Sequence, residues 1–166
     1  VWTWDGRRRG VFLTLAGPDG DALPEDGSVM RTLLAALRDA GDPYVPVRAA
    51  SYRPVRFRVK ATLRVHPDRR AEDVLRAAEA ALALRFGFGE RAFGRPVWRG
   101  DVIATLQNVP GVESLDLDLL YREPGGGGTA PELNAEAPED GMDARTASPA
   151  ELLLIHLLPG DLEVAP

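Results

Sequence analysis

The side chains that could perform chemistry are few, and the sequence sets most of them apart from one another. Asp116 and Asp118 lie two residues apart in a predicted strand, which places them on one face, about 7 Å from each other. Paired carboxylates can act as general acid and base or bind a cation. No nucleophile or base accompanies them in the sequence, so we interpret the pair as the polar side of an alternating strand.

The histidines and the absence of cysteine limit the remaining chemistry. His66 and His156 lie in unrelated settings, and His66 continues the polar face of a strand, where a surface role is expected. Without cysteine the chain has no thiolate nucleophile, disulfide or thiolate metal ligand, which is typical of a protein synthesised in the cytoplasm. The sequence therefore predicts no catalytic residue, no cofactor, no metal site and no small-molecule substrate.

Two short motifs invite a functional interpretation that their surroundings do not support. The run Gly125–Gly128 lacks the lysine and the helix that follow a phosphate-binding loop. Arg99-Gly100-Asp101 spells a cell-adhesion tripeptide, but Asp101 is better explained as a residue that starts a helix. We assign neither motif a function.

Charge is distributed unevenly along the chain, whose net charge is −5. Residues 44–70 include eight basic residues and one acid, whereas residues 123–166 include nine acids and one base. Four of the basic residues alternate with apolar ones and are predicted to share the polar face of one strand: Arg56, Arg58, Lys60 and Arg64. This basic row is the candidate protein-interaction face, to which a partner surface or the acidic segment 132–143 would supply carboxylates.

A basic sheet face also occurs in proteins that bind RNA, so this alternative has to be weighed. RNA-recognition sheets stack bases on exposed aromatic side chains. Here Phe57 falls on the buried register of the basic strand, and only Phe12 on a neighbouring strand is a candidate for exposure. Because stacking aromatics are lacking and the whole chain is acidic, we expect no nucleic-acid partner. We also expect no membrane span, since no run of about 18 apolar residues is present.

Hydrophobic periodicity predicts an alternation of strands and helices. Residues 55–66 alternate strictly, which indicates a long strand with one buried face. A later strand is expected to bury four alternating residues: Leu115, Leu117, Leu119 and Tyr121. Ser28 is the expected N-cap of a first helix and Asp68 that of a second. The other predicted elements are strands at 11–16, 45–49 and 162–164 and a short helix at 101–108.

The predicted element order, β-α-β-β-α-(α)-β, is that of a ferredoxin-like split βαβ sandwich. We therefore predict an α+β fold in which an antiparallel sheet carries helices on one face. The expected domains are an irregular lead-in at 1–10, a ferredoxin-like domain at 11–122, a flexible Gly/Pro/acidic linker at 123–148 and an apolar C-terminal docking segment at 149–166. Because the chain opens without methionine, we expect further sequence before it.

Two stretches of the chain, taken together, resemble a known family. The first is the run 44–59, which opens with Tyr44-Val45-Pro46-Val47. The second is the run 86–117, which contains Val109-Pro110-Gly111-Val112 immediately before an alternating strand. Their order and spacing resemble the C-terminal region of baseplate J-like proteins, the baseplate assembly proteins of phage tails and contractile injection systems. The insert at 124–148 departs from that pattern.

The resemblance implies a structural protein rather than an enzyme. A protein of this family would be a wedge subunit of the baseplate ring, with other wedge subunits, neighbouring copies of itself, and sheath or hub proteins as partners. It would be synthesised in the cytoplasm and incorporated into a virion-like or injection particle. The residues alone leave two alternatives open, which are a ligand-binding or regulatory ferredoxin-like module and an enzyme that uses Asp116 and Asp118.

Overall fold

The computed structural model describes residues 2–5, 8–138 and 147–165, and it confirms a mixed α+β fold. The chain divides into two compact units, which we call unit 1 and unit 2. Unit 1 comprises Val1–Pro54 and Glu136–Leu152, and unit 2 comprises Val55–Ala135 and Leu153–Pro166. No helix in the described ranges is long and apolar enough to cross a membrane.

Unit 1 contains a three-stranded sheet and one helix among its described residues. The strands are β1 (Trp2–Asp5), β2 (Arg8–Leu15) and β3 (Val47–Ser51), and the helix is α1 (Ser28–Ala40). Strand β2 pairs antiparallel with β1 and parallel with β3, and α1 forms the crossover that parallel neighbours require. Phe12 and Met30 are buried, and the buried Tyr52 donates its hydroxyl hydrogen bond to the carbonyl of Gly20 at 2.6 Å.

Unit 2 is organised around the long strand β4 (Arg53–Val65). Its other elements are α2 (Ala71–Phe86), a 3-10 turn (Phe88–Glu90), β5 (Val97–Trp98), α3 (Arg99–Gln107), β6 (Val112–Arg122), β7 (Glu132–Leu133) and β9 (Leu162–Val164). Strand β4 pairs antiparallel with β6 and parallel with β9, and β8 (Glu151–Ile155) belongs to the same sheet. Strands β5 and β7 form a separate antiparallel pair.

The alternation predicted for 55–66 is confirmed in β4. Its core side consists of four fully buried residues, Phe57, Val59, Ala61 and Leu63. Helix α2 contributes buried residues at intervals of four, namely Val74, Ala78, Leu82 and Phe86. The rings of Phe57 and Phe86 meet edge to face with centroids 5.7 Å apart, so strand and helix share one core.

The ferredoxin-like arrangement is not confirmed. In that fold the strands before and after the first helix would join the long basic strand in one sheet. Here β2 and β3 pair with each other in the sheet of unit 1, whereas β4 and β6 belong to another sheet. Only Tyr52 separates β3 from β4, and its amide donates to the carbonyl of Leu15 at 2.8 Å.

Strand β6 corrects the predicted core alternation. The ladder with β4 shifts register between Lys60 and Ala61, where Asp118 is the extra residue of a β-bulge. Leu117 lies opposite Ala61, but Leu119 lies opposite Lys60, on the polar side of β4. The bulge therefore buries Leu120 in place of Leu119 and Tyr121, which are only half-buried.

Both predicted N-caps are wrong, the first by one residue and the second by two. Helix α1 begins at Ser28 itself, because the carbonyl of Gly27 accepts the first bond, from the amide of Arg31 at 3.1 Å. Helix α2 begins at Ala71 with Arg70 as its cap, because a turn precedes it. In that turn the Asp68 amide donates to Nδ1 of His66 at 3.3 Å.

The stretch predicted to be a linker contains ordered contacts where the structure describes it. Thr129 forms a β-bridge with Leu120, and Leu133 of β7 is buried in the core of unit 2. Residues 136–138 and 147–148 belong to unit 1, where the Glu136 amide donates to the Glu151 carboxylate at 2.9 Å. The predicted linker residues 139–146 lie outside the described residues.

Candidate assembly face

The four residues of the basic row occupy alternate positions on β4, on the side opposite its buried residues. They do not form a uniform row of exposed charge. Arg56 and Arg64 are exposed, whereas Arg58 and Lys60 between them are half-buried. The row therefore divides into two end positions and an enclosed centre.

Arg58 is the centre of a charged cluster in unit 2. Its Nη2 lies 2.6 Å from Oδ1 of Asp161, and its Nη1 lies 3.6 Å from Oε1 of Glu123. The hydrogen bond to Asp161 raises the pKa of the guanidinium further above its usual value, so Arg58 is always charged. Because the side chains of Arg58 and Asp161 are 17% and 10% exposed, water screens this pair much less than a surface pair.

The same cluster fastens the C-terminal segment to the sheet. Oδ2 of Asp161 accepts from the amide of Leu158 at 2.7 Å, and the Asp161 carbonyl accepts from the amide of Ala61 at 2.9 Å. Nζ of Lys60 lies 3.3 Å from Oε1 of Glu163. The carboxylates that neutralise Arg58 and Lys60 therefore come from unit 2 itself, rather than from the acidic segment that the sequence suggested.

Glu123 completes the cluster together with His156. Nδ1 of His156 lies 2.8 Å from Oε2 of Glu123. This hydrogen bond, helped by the nearby charge of Arg58, lowers the pKa of Glu123 below its ordinary value. No sequence pattern predicts the role of His156, since His156 and Glu123 are 33 residues apart and meet only in the folded unit.

Arg56 and Arg64 remain uncompensated at the ends of the row. Neither guanidinium takes part in a salt bridge within the described part of the chain. Arg64 lies opposite Ser114 of β6, and the main chain of Arg56 accepts from the amide of Glu123 at 2.8 Å. Two exposed cations thus lie about 26 Å apart along one strand, from the rise of an extended chain.

The candidate catalytic residues do not assemble a site in the described structure. Asp116 and Asp118 are exposed, and Oδ2 of Asp118 accepts a hydrogen bond from the Thr62 hydroxyl at 3.0 Å. His66 lies 3.5 Å from Asp68 and 4.0 Å from Glu113, with half of its side chain exposed. The described residues contain no group of three acids or histidines that could hold a metal ion.

The glycine run and the Arg-Gly-Asp tripeptide have local structural roles. The carbonyl of Gly128 accepts from the amide of Leu120 at 2.8 Å, so the run ends against β6. A side chain at Gly127 would lie 3.5 Å from Leu119, and Gly127 therefore covers the residue that the bulge turns outward. Arg99, Gly100 and Asp101 form the first turn of α3, as predicted for Asp101.

Comparison with known families gives a match for the first part of unit 1. Residues 1–50 match the profile of the baseplate J-like central domain. This first part of the chain is therefore similar to the central domain of baseplate J-like proteins. No curated protein sequence matches the chain significantly.

The match falls on unit 1 and includes β1, β2, α1 and most of β3. It overlaps the first stretch that carried the resemblance only at residues 44–50, and all of unit 2 follows it in the sequence. Baseplate J-like proteins belong to phage-tail baseplates, which suggests a structural role rather than catalysis. This role is compatible with the charged face of the sheet in unit 2.

Proposed function

We propose that this chain is a wedge component of the baseplate of a contractile, phage-tail-like injection particle, and that it acts by protein–protein assembly. The observation that carries the proposal is the baseplate J-like match at residues 1–50. The partners we propose are other wedge subunits, neighbouring copies of the chain, and sheath or hub proteins. No cofactor and no small-molecule substrate is required for this role.

The basic row supports the proposal through its two ends. Arg58 and Lys60 are already neutralised by Asp161, Glu123 and Glu163, so their contribution is to hold the C-terminal segment in place. Arg56 and Arg64 are exposed cations without carboxylate partners in the described structure, and a partner surface can provide those carboxylates. Exposed charges at an interface chiefly set the rate and the specificity of association.

The test is the double charge reversal Arg56→Glu with Arg64→Glu in the full chain. Because both side chains are exposed, we expect the protein to fold normally and the yield of complete particles to fall about tenfold or more. Particle yield is counted by electron microscopy, and folding is checked by circular dichroism. The defect should be largest at low salt, since ions screen exposed charges over a Debye length of about 10 Å at 0.1 M.

The matched control is Arg31→Glu with Arg70→Glu, which makes the same change in net charge elsewhere on the surface. Both arginines are exposed and lie at the start of a helix, where an acidic side chain is tolerated. We expect normal assembly from this control. Normal assembly from the Arg56/Arg64 variant as well would contradict the role given to the basic row.

A further inference from the structure

Unit 2 has an apolar cleft on the outer side of α2. The cleft is an open cavity of about 650 Å³ between the helix and the segment 157–159. Its apolar lining consists of Ala80, Ala83, Leu157, Leu158 and Pro159. Leu84 follows Ala80 by one helical turn, is 72% exposed and extends the same surface.

The small side chains of α2 leave room for a large one. Alanine at positions 80 and 83 keeps the helix surface low, while Leu158, 43% exposed, forms part of the opposite wall. Exposed apolar surface of this kind commonly marks an interaction site on a soluble protein. A flat or bulky apolar side chain from outside is therefore the occupant that the shape favours.

Trp98 is a side chain of that kind on the same unit. It lies on β5, directly before α3, and is 51% exposed. Its ring is not part of the cleft lining, so it does not fill the cleft of its own chain. Tryptophan is among the side chains that contribute most to protein interfaces when it enters a well-shaped pocket of a partner.

The charges beside the two features are opposite. In the cleft, Arg76 is paired with Asp73 at 3.0 Å, whereas Glu79 forms no salt bridge within the part of the chain that the structure describes. Beside Trp98, the exposed Arg99 has no salt bridge within the described residues. A contact that placed Trp98 in the cleft would therefore bring the guanidinium of Arg99 close to the carboxylate of Glu79.

We propose that Trp98 of one copy of the chain inserts into the α2 cleft of a second copy, with Arg99 meeting Glu79. The two surfaces differ, so the contact is head to tail and can propagate from copy to copy. The inference deepens the proposed function, because it names the contact between neighbouring copies. Its test uses the purified chain alone, so the proposed contact can be disproved without affecting the proposed role in the baseplate. Equally, the role in the baseplate can be disproved without affecting the proposed contact.

The test is sedimentation of the purified full chain over a range of concentrations. We expect the unaltered chain to associate reversibly, and Trp98→Ala and Ala83→Glu each to weaken association by at least about tenfold. The first variant removes the inserted ring, and the second fills the cleft with a charged side chain at an exposed helical position. Tyr44→Ala removes an aromatic side chain that is 78% exposed in unit 1, and it should leave association unchanged.

Mixing the two variants gives the decisive result. The Trp98→Ala chain keeps an open cleft and the Ala83→Glu chain keeps its tryptophan, so an equal mixture should form a 1:1 dimer that cannot grow further. Glu79→Arg should weaken association, and Glu79→Arg combined with Arg99→Glu should restore it. A monomeric unaltered chain, a mixture that stays monomeric, or variants that associate like the unaltered chain would each overturn the proposal.

Discussion

Arg58 differs from its neighbours in the basic row because carboxylates of its own unit enclose it. A charge pair that is largely removed from water contributes little net stability, but removal of one partner leaves the other uncompensated. Arg58 and Arg56 therefore have different roles, although the sequence presents them as equivalent members of an alternating pattern.

The first prediction compares these two residues. Arg58→Ala should lower the free energy of unfolding by about 2 kcal/mol, because Asp161 and Glu123 lose their partner in a poorly hydrated position. Arg56→Ala should change it by less than about 0.5 kcal/mol, as is usual for an exposed side chain. Urea denaturation of both variants measures the difference, and equal effects would show that the cluster around Arg58 is not formed.

Gly111 forms the turn of the Val109-Pro110-Gly111-Val112 run, and its conformation shows why glycine is needed there. Its φ is +104°, and a side chain at this position would lie 2.9 Å from Cγ2 of Val74. Glycine is required on both grounds, since other residues rarely adopt this backbone conformation and α2 approaches closely. The turn lets Val109 enter the core and returns the chain into β6.

The second prediction concerns this glycine and a matched control. Gly111→Ala should destabilise the protein by about 1–3 kcal/mol through backbone strain and the contact with Val74. Gly100→Ala should be neutral or stabilising by up to about 1 kcal/mol, because Gly100 lies in α3 with open space around it. Thermal unfolding of the two variants distinguishes them, and a shift of the same sign would contradict the account of the turn.

At the scale of the element, β6 shows where sequence periodicity fails. The run from Leu115 to Tyr121 alternates in the sequence, but one extra residue at Asp118 moves every later side chain to the other face. Nothing in the run itself signals the bulge, because Asp is as compatible with an ordinary exposed position as with a bulge. The alternation of buried and polar residues in β4 was predicted correctly, because the extra residues lie on β6. Strand β4 itself contains no bulge, so its side chains alternate between the two faces along its whole length.

The third prediction tests the bulge by comparing two adjacent leucines. Leu120→Ala should destabilise the protein by about 3 kcal/mol, since the side chain is fully buried in the core of unit 2. Leu119→Ala should cost about 1 kcal/mol or less, because Leu119 lies on the polar side of the sheet under Gly127. A larger loss of stability for Leu119→Ala than for Leu120→Ala would contradict the bulge and support the regular alternation that the sequence predicted.

At the scale of the whole molecule, the sequence predicted the elements better than their pairing. Strands and helices follow from local periodicity, and most predicted elements exist within a few residues of their expected bounds. Pairing depends on contacts between distant segments, such as the Ala150 amide that donates to Thr14 Oγ1 at 3.0 Å across 136 residues. No local pattern distinguishes one mixed sheet from two, so the ferredoxin-like topology was an inference from element order alone.

The basic row could likewise be placed on one strand face, but its partners could not be identified. Asp161 lies directly before a predicted short strand and Glu163 lies within it, and the parallel pairing of that strand with β4 brings both to the row. The family resemblance came from runs at 44–59 and 86–117, whereas the profile match falls on residues 1–50. The two similarities point to the same family and rest on largely separate residues.

The measurement that tests the central claim most directly is electron microscopy of purified particles in which this chain carries a small tag labelled with gold. The account predicts label at the baseplate end of the particle, in equal numbers on extended and contracted forms. Label along the shaft, or purified particles that contain none of the chain, would contradict a structural role in the baseplate.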